Sequence, residues 1–104
     1  MDLEIHPIIA INPDVITLDG RRMADTRTLA ADARVERMEQ LIQDLETLKR
    51  NWSILHPTEP FAGTVILQAD KSIDFRVIKK VMFSAAQAGY ANISFAVNRL
   101  GSMT

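Results

Sequence analysis

Between Thr64 and Val97 the sequence changes its hydrophobic period twice, and each change is marked by a turn residue. Thr64-Val65-Ile66-Leu67-Gln68-Ala69 is a continuous apolar run of strand length, a pattern that predicts a central strand covered on both faces. Asp70-Lys71-Ser72 turns the chain, with Ser72 as the expected N-cap of a helix. The inward positions of that helix are Ile73, Val77, Ile78, Val81, Met82, Ala85 and Ala86. Asp70 and Ser72 are expected to satisfy its free backbone N–H groups, Asp74 to favour its positive end, and Gly89 to supply the left-handed residue that ends it. Ala91 to Val97 then alternates Ile93, Phe95 and Val97 against Asn92, Ser94 and Ala96. Two strands joined by a helix in this way form a parallel crossover, right-handed by default.

The rest of the chain must complete the sheet this unit begins. Ile8-Ile9-Ala10-Ile11 and Val15-Ile16-Thr17-Leu18 are short β-rich runs around the turn composition Asn12-Pro13-Asp14. Asp19-Gly20 favours a tight turn with positive φ, so Arg21-Arg22-Met23 leaves as a third short extended piece. The period then becomes helical, with Met38, Leu41, Ile42, Leu45, Leu48 and Trp52 on one face. Asp25, Thr28 and Asp32 are all candidate N-caps for this segment, and His56 to Gly63, with two prolines, is a loop. The order β-β-α-β-α-β predicts an α+β two-layer sandwich, a small mixed sheet with two helices on one face.

Several function classes can be set aside on composition. A chain of 104 residues makes one domain with a modest core. Its net charge of −1 gives no support to nucleic-acid binding. With no cysteine there is neither a disulfide nor a thiolate metal site. His6 and His56 each precede a proline and have no second ligand at metal spacing. There is no glycine-rich phosphate loop and no nucleophile motif. We therefore expect no enzyme, no cofactor and no metal. Asn51-Trp52-Ser53 and Asn92-Ile93-Ser94 match the glycosylation pattern, but they fall at a helix end and within a strand.

Two features point to binding. Phe83 shares a helix face with Arg76, Lys79, Lys80 and Gln87, opposite the core stripe. An aromatic on a basic, otherwise polar face suits contact with a partner or an anionic polymer. The last strand continues through Asn98-Arg99-Leu100-Gly101 with little to stop its edge pairing with another chain.

The second half of the chain resembles the periplasmic domain of the ExbD/TolR family, small stator subunits of proton-driven machines in the bacterial inner membrane. The residues that carry the resemblance are Val65-Ile66-Leu67-Gln68-Ala69-Asp70-Lys71, then Phe75, Val77, Val81-Met82, Ala85-Ala86, Ala88-Gly89 and the strand around Ile93 to Val97. Val15-Ile16-Thr17-Leu18-Asp19-Gly20 fits the family's opening strand. The chain departs from the family in having Asp74-Phe75-Arg76 where Pro-Tyr-Gly is common, and in a longer connection from Arg21 to Gly63.

The resemblance implies a homodimer and an ExbB/TolQ-like membrane partner. The partner is reached through a transmembrane helix, expected upstream, that carries a proton-relaying aspartate. It also implies a surface for peptidoglycan or an energised periplasmic protein, with Phe83, Arg76, Lys79 and Lys80 as the candidate contacts. Transport, envelope integrity and gliding motility are the systems such stators drive, and the long connection favours a Tol-like or gliding-motor member. The reading from another class is a free-standing cytosolic α+β domain that binds a small ligand or regulates an enzyme.

Overall fold

The computed structural model describes residues 6–98. Eight elements follow in order: β1 (Ile8–Ile11), β2 (Val15–Leu18), β3 (Arg21–Asp25), α1 (Thr26–Ala31), α2 (Glu39–Leu55), β4 (Thr64–Asp70), α3 (Phe75–Gln87) and β5 (Asn92–Asn98). The strands form one mixed sheet in the order β3-β2-β1-β4-β5. β1 to β3 are a meander of antiparallel neighbours, while β4 runs parallel to both β1 and β5. The α+β two-layer architecture and its mixed sheet are thus as the sequence predicts, and β4-α3-β5 is the parallel crossover.

The meander is made by local chemistry. Asp19 and Gly20 adopt φ of 50° and 88°, the positive values a tight hairpin turn needs, and Asp and Gly tolerate them best. The Asn12 side chain accepts from the backbone N–H groups of Asp14 and Val15 at 2.8 Å each and so closes the first turn.

The core lies on one face of the sheet. Ile9 and Ile11 of β1 are in register with Leu18 and Ile16 of β2 and with Leu67 and Ala69 of β4, and all six are buried. Leu29 of α1, Leu41, Ile42 and Leu45 of α2, and Val77, Ile78, Val81 and Ala85 of α3 pack onto them in a single cluster. The strand β4 differs from its predicted setting. Val65, Leu67 and Ala69 are buried, but the alternate residues are half-buried or, at Gln68, exposed. All the helices stand on one side, so the apolar run is covered on one face only.

Three helices are present among the described residues where two are predicted. The additional α1 is a short helix capped by Asp25, whose side chain accepts from Thr28 N–H at 3.0 Å. Thr28 and Asp32 cap no helix N-terminus: the first lies inside α1 and the second ends it. The long helix begins later, at Glu39, with Met38 at its N-cap and no side chain of its own to cap it. Ser84 of α3 supplies what is missing. Its hydroxyl accepts from Met38 N–H at 2.9 Å and donates to Lys80 C=O at 2.8 Å, wholly inside the core.

The start of α3 also differs. The N-cap is Asp74, not Ser72, and its carboxylate accepts from Arg76 N–H at 2.8 Å. Ser72 stays in the turn, and Asp70 contributes its backbone carbonyl, which accepts from Ile73 N–H at 3.1 Å. Ile73 therefore precedes the helix and packs against the core from the turn. Met82 and Ala86, expected inward, are exposed, because the buried stripe is narrower and shifted toward Ser84. Gly89 follows the C-cap with φ 98°. Residues 99–101, part of the extended last strand expected above, lie outside the described residues.

Candidate functional site

Of the four residues proposed to meet a partner, three have side chains already in use within the chain to different degrees. Arg76 closes back on the cap, with its guanidinium 2.7 Å from the Asp74 carboxylate. That side-chain bond, with the backbone bond added, holds the Asp74 carboxyl down at about 2 and pushes the guanidinium up. Lys80 is committed further. Its ammonium donates to Leu29 C=O at 2.6 Å and to Asp32 C=O at 2.7 Å, so it satisfies free carbonyls at the end of α1. Phe83 is half in contact with the protein and 43% exposed. Lys79 is exposed and makes no ion pair among the described residues.

These side chains line one feature. A groove of about 390 Å³ runs between α3 and the α1–α2 connection, bounded by Arg76, Lys79, Lys80 and Phe83 on one side. Ala30, Ala33 and Glu36 form the other side. The basic face expected from the sequence is thus a groove wall of mixed charge, with Lys79 and Phe83 as the groups free to reach outward.

The free edge of the sheet is a second surface. Among the described residues β5 is the last strand of the sheet and pairs with β4 alone. Its register with β4 sets Phe95 beside Leu67, on the side that carries the helices, yet Phe95 is 49% exposed. The helix layer stops short of this strand. Phe75 and Met82 are also exposed, on the flank of α3 away from Lys80 and Ser84.

A third feature is absent from the sequence-based reading. Trp52 near the end of α2, Phe61 in the following loop and Tyr90 before β5 form an aromatic cluster. Trp52 and Phe61 meet edge-on at 5.6 Å, as do Phe61 and Tyr90 at 5.1 Å. Trp52 also stacks on His56 at 4.4 Å, and the Lys49 ammonium lies 5.1 Å from the Phe61 ring centre. Beside the cluster is a cleft of about 270 Å³ that includes His6, Pro7 and Asp19. Burial, with the nearby Asp19 carboxylate adding to it, pushes the Tyr90 phenol up to about 12. The usable signal was Phe61 itself, a large ring inside a proline-rich loop where nothing local needs it.

Among the described residues no group of histidines and carboxylates is placed to hold a metal ion. No helix among them is long and apolar enough to cross a membrane. Among the described residues the fold is thus a small mixed sheet with helices on one face and an exposed strand edge.

The family match makes this more specific. The family described as biopolymer transport protein ExbD/TolR matches residues 4–100, and the chain belongs to that family. No curated protein and no solved structure matches it at a significant level. It is a subunit of the biopolymer-transport stator type, in a family of non-enzymatic inner-membrane proteins with periplasmic domains that form dimers and assemble with ExbB/TolQ-type partners.

Proposed function

We propose that this chain is the periplasmic part of a stator subunit in a motor driven by the proton-motive force. It works as a homodimer and holds the motor to a fixed structure outside the membrane. The family match over residues 4–100 supports the reading, and the observation that carries the mechanism is the unpaired edge of β5 with Phe95 exposed beside it. An edge strand offers a row of backbone donors and acceptors to a second copy, and neighbouring apolar side chains add burial. The groove beside Phe83 and Lys79 is then the contact for peptidoglycan or for an energised periplasmic protein. The ExbB/TolQ-like partner is met in the membrane, through a helix outside these residues.

A Tol-like or gliding-motor system fits the long segment between β3 and β4. The family match supports this reading over a free-standing cytosolic domain. The test is sedimentation over a concentration series, with and without isolated peptidoglycan sacculi. The proposal expects a dimer that Phe95→Glu converts to a monomer, and co-pelleting that Lys79→Ala weakens. A chain that stays monomeric at high micromolar concentration removes the dimer. A dimer that ignores sacculi moves the groove's partner to a protein.

A further inference from the structure

The cleft at the end of the sheet has chemistry that neither the edge nor the groove has. Among the described residues Asp19 is the only carboxylate that lines it, and no lysine or arginine does. The backbone N–H of Ile8 donates to Asp19 Oδ1 at 2.9 Å, which fixes the carboxylate in place. Its second oxygen makes no hydrogen bond among the described residues. Across the cleft stands Tyr90, a residue only 2% exposed, whose hydroxyl faces the cleft and makes no hydrogen bond among the described residues. The hydroxyl is not sealed off from the cleft, so its oxygen is open to a ligand atom there.

The walls narrow the choice of ligand. Trp52, Phe61, Leu48 and Pro7 supply apolar and aromatic surface. Aromatic rings attract organic cations, and Phe61 already holds one ammonium, that of Lys49, at 5.1 Å. An anion would meet Asp19 unfavourably. An ammonium can donate to the free Asp19 oxygen and to the Tyr90 oxygen while its carbon body rests on the apolar wall.

We propose that the cleft lined by Asp19, Tyr90, Trp52 and Phe61 binds an organic ammonium cation. Such a group comes either from a small free amine or from a lysine side chain on a peptide. The site shares no residue with the Phe83 groove and does not depend on the stator reading.

The experiment is an amide NMR titration of the whole chain with n-butylammonium and with lysine blocked at both its α-amino and carboxyl groups. n-Butanol and butyrate serve as neutral and anionic controls. Saturable shifts confined to Asp19, the Ala62–Thr64 segment and Tyr90 are expected with the amines and not with the controls. Asp19→Asn keeps an acceptor for Ile8 N–H and a residue that tolerates positive φ, and it should weaken binding about tenfold. Tyr90→Phe, which keeps the ring packing, should weaken it as well. Blocked lysine binding as well as butylammonium identifies a peptide source, and binding of the free amine alone identifies a small molecule. Equal binding of butanol, or unchanged affinity in the Asp19→Asn variant, overturns the proposal.

Discussion

At the scale of single residues, two titrating groups give the sharpest expectations. Tyr90 is the chain's one tyrosine, so tyrosinate absorbance reports it alone. Its phenol is pushed up to about 12 in the folded chain, against an ordinary value of 10.0. A raised folded value means the contribution to stability is whole below pH 10 and is lost as pH rises toward 12. Spectroscopic titration should show ionisation near the upper value while the chain is folded, and Tyr90→Phe should remove that part of the alkaline loss. An ordinary midpoint in the folded chain would count against the burial of its side chain.

Asp74 has the opposite sign. Its carboxyl is held at about 2 against 3.8, so its contribution is present above the ordinary value and is lost as pH falls through the lower one. Asp74→Asn keeps a capping oxygen but should flatten that acid dependence, as followed by helical circular dichroism. Phe83→Ala should leave stability within about half a kcal/mol, since nearly half of the side chain is in water. A larger loss would place it in the core or in an obligate interface.

At the scale of elements, the core and the joints between helices set the energetics. Val81 is fully buried in the centre of α3, so Val81→Asp should cost about 4 kcal/mol or more, as an unpaired charge enters an apolar site. Ser84→Ala should cost about 1–3 kcal/mol by leaving Met38 N–H buried and unpaired. Gly63→Ala should be at least as damaging. Gly63 has φ 68°, and an added Cβ would stand 2.7 Å from the backbone oxygen of Gly89. Urea unfolding of the three variants checks all of these, and a wild-type midpoint for any one refutes its assignment.

The same elements show what could be read in advance. Val65 to Ala69, the α2 stripe and the Asp19-Gly20 turn were legible because period and turn chemistry are properties of neighbouring residues. Ser84, a polar residue in an apolar stripe, was not, because its partner Met38 is distant in sequence. Lys80 looked like a free surface charge for the same reason, although the carbonyls at the end of α1 hold it. The aromatic cluster was missed because Trp52, Phe61 and Tyr90 come from three separate segments. α1 was overlooked because one helical turn and a half is too short to show a period.

At the scale of the whole molecule, binding carried by Lys79 in the groove should weaken as salt is added, since exposed charges are screened. Binding to sacculi that is indifferent to salt would remove Lys79 and Arg76 as contacts. The two borders of the sheet are unlike. β3 carries exposed Arg21 and Arg22, and its register with β2 slips between Ile16 and Thr17. Charge and a bulge are the usual ways of making a border unfit for pairing. In a pair joined at β5, both outward borders belong to β3, and each repels the next arrival. If the proposed pairing at β5 holds, growth along the sheet would stop at two copies, and the asymmetry of one small sheet would bar a fibre.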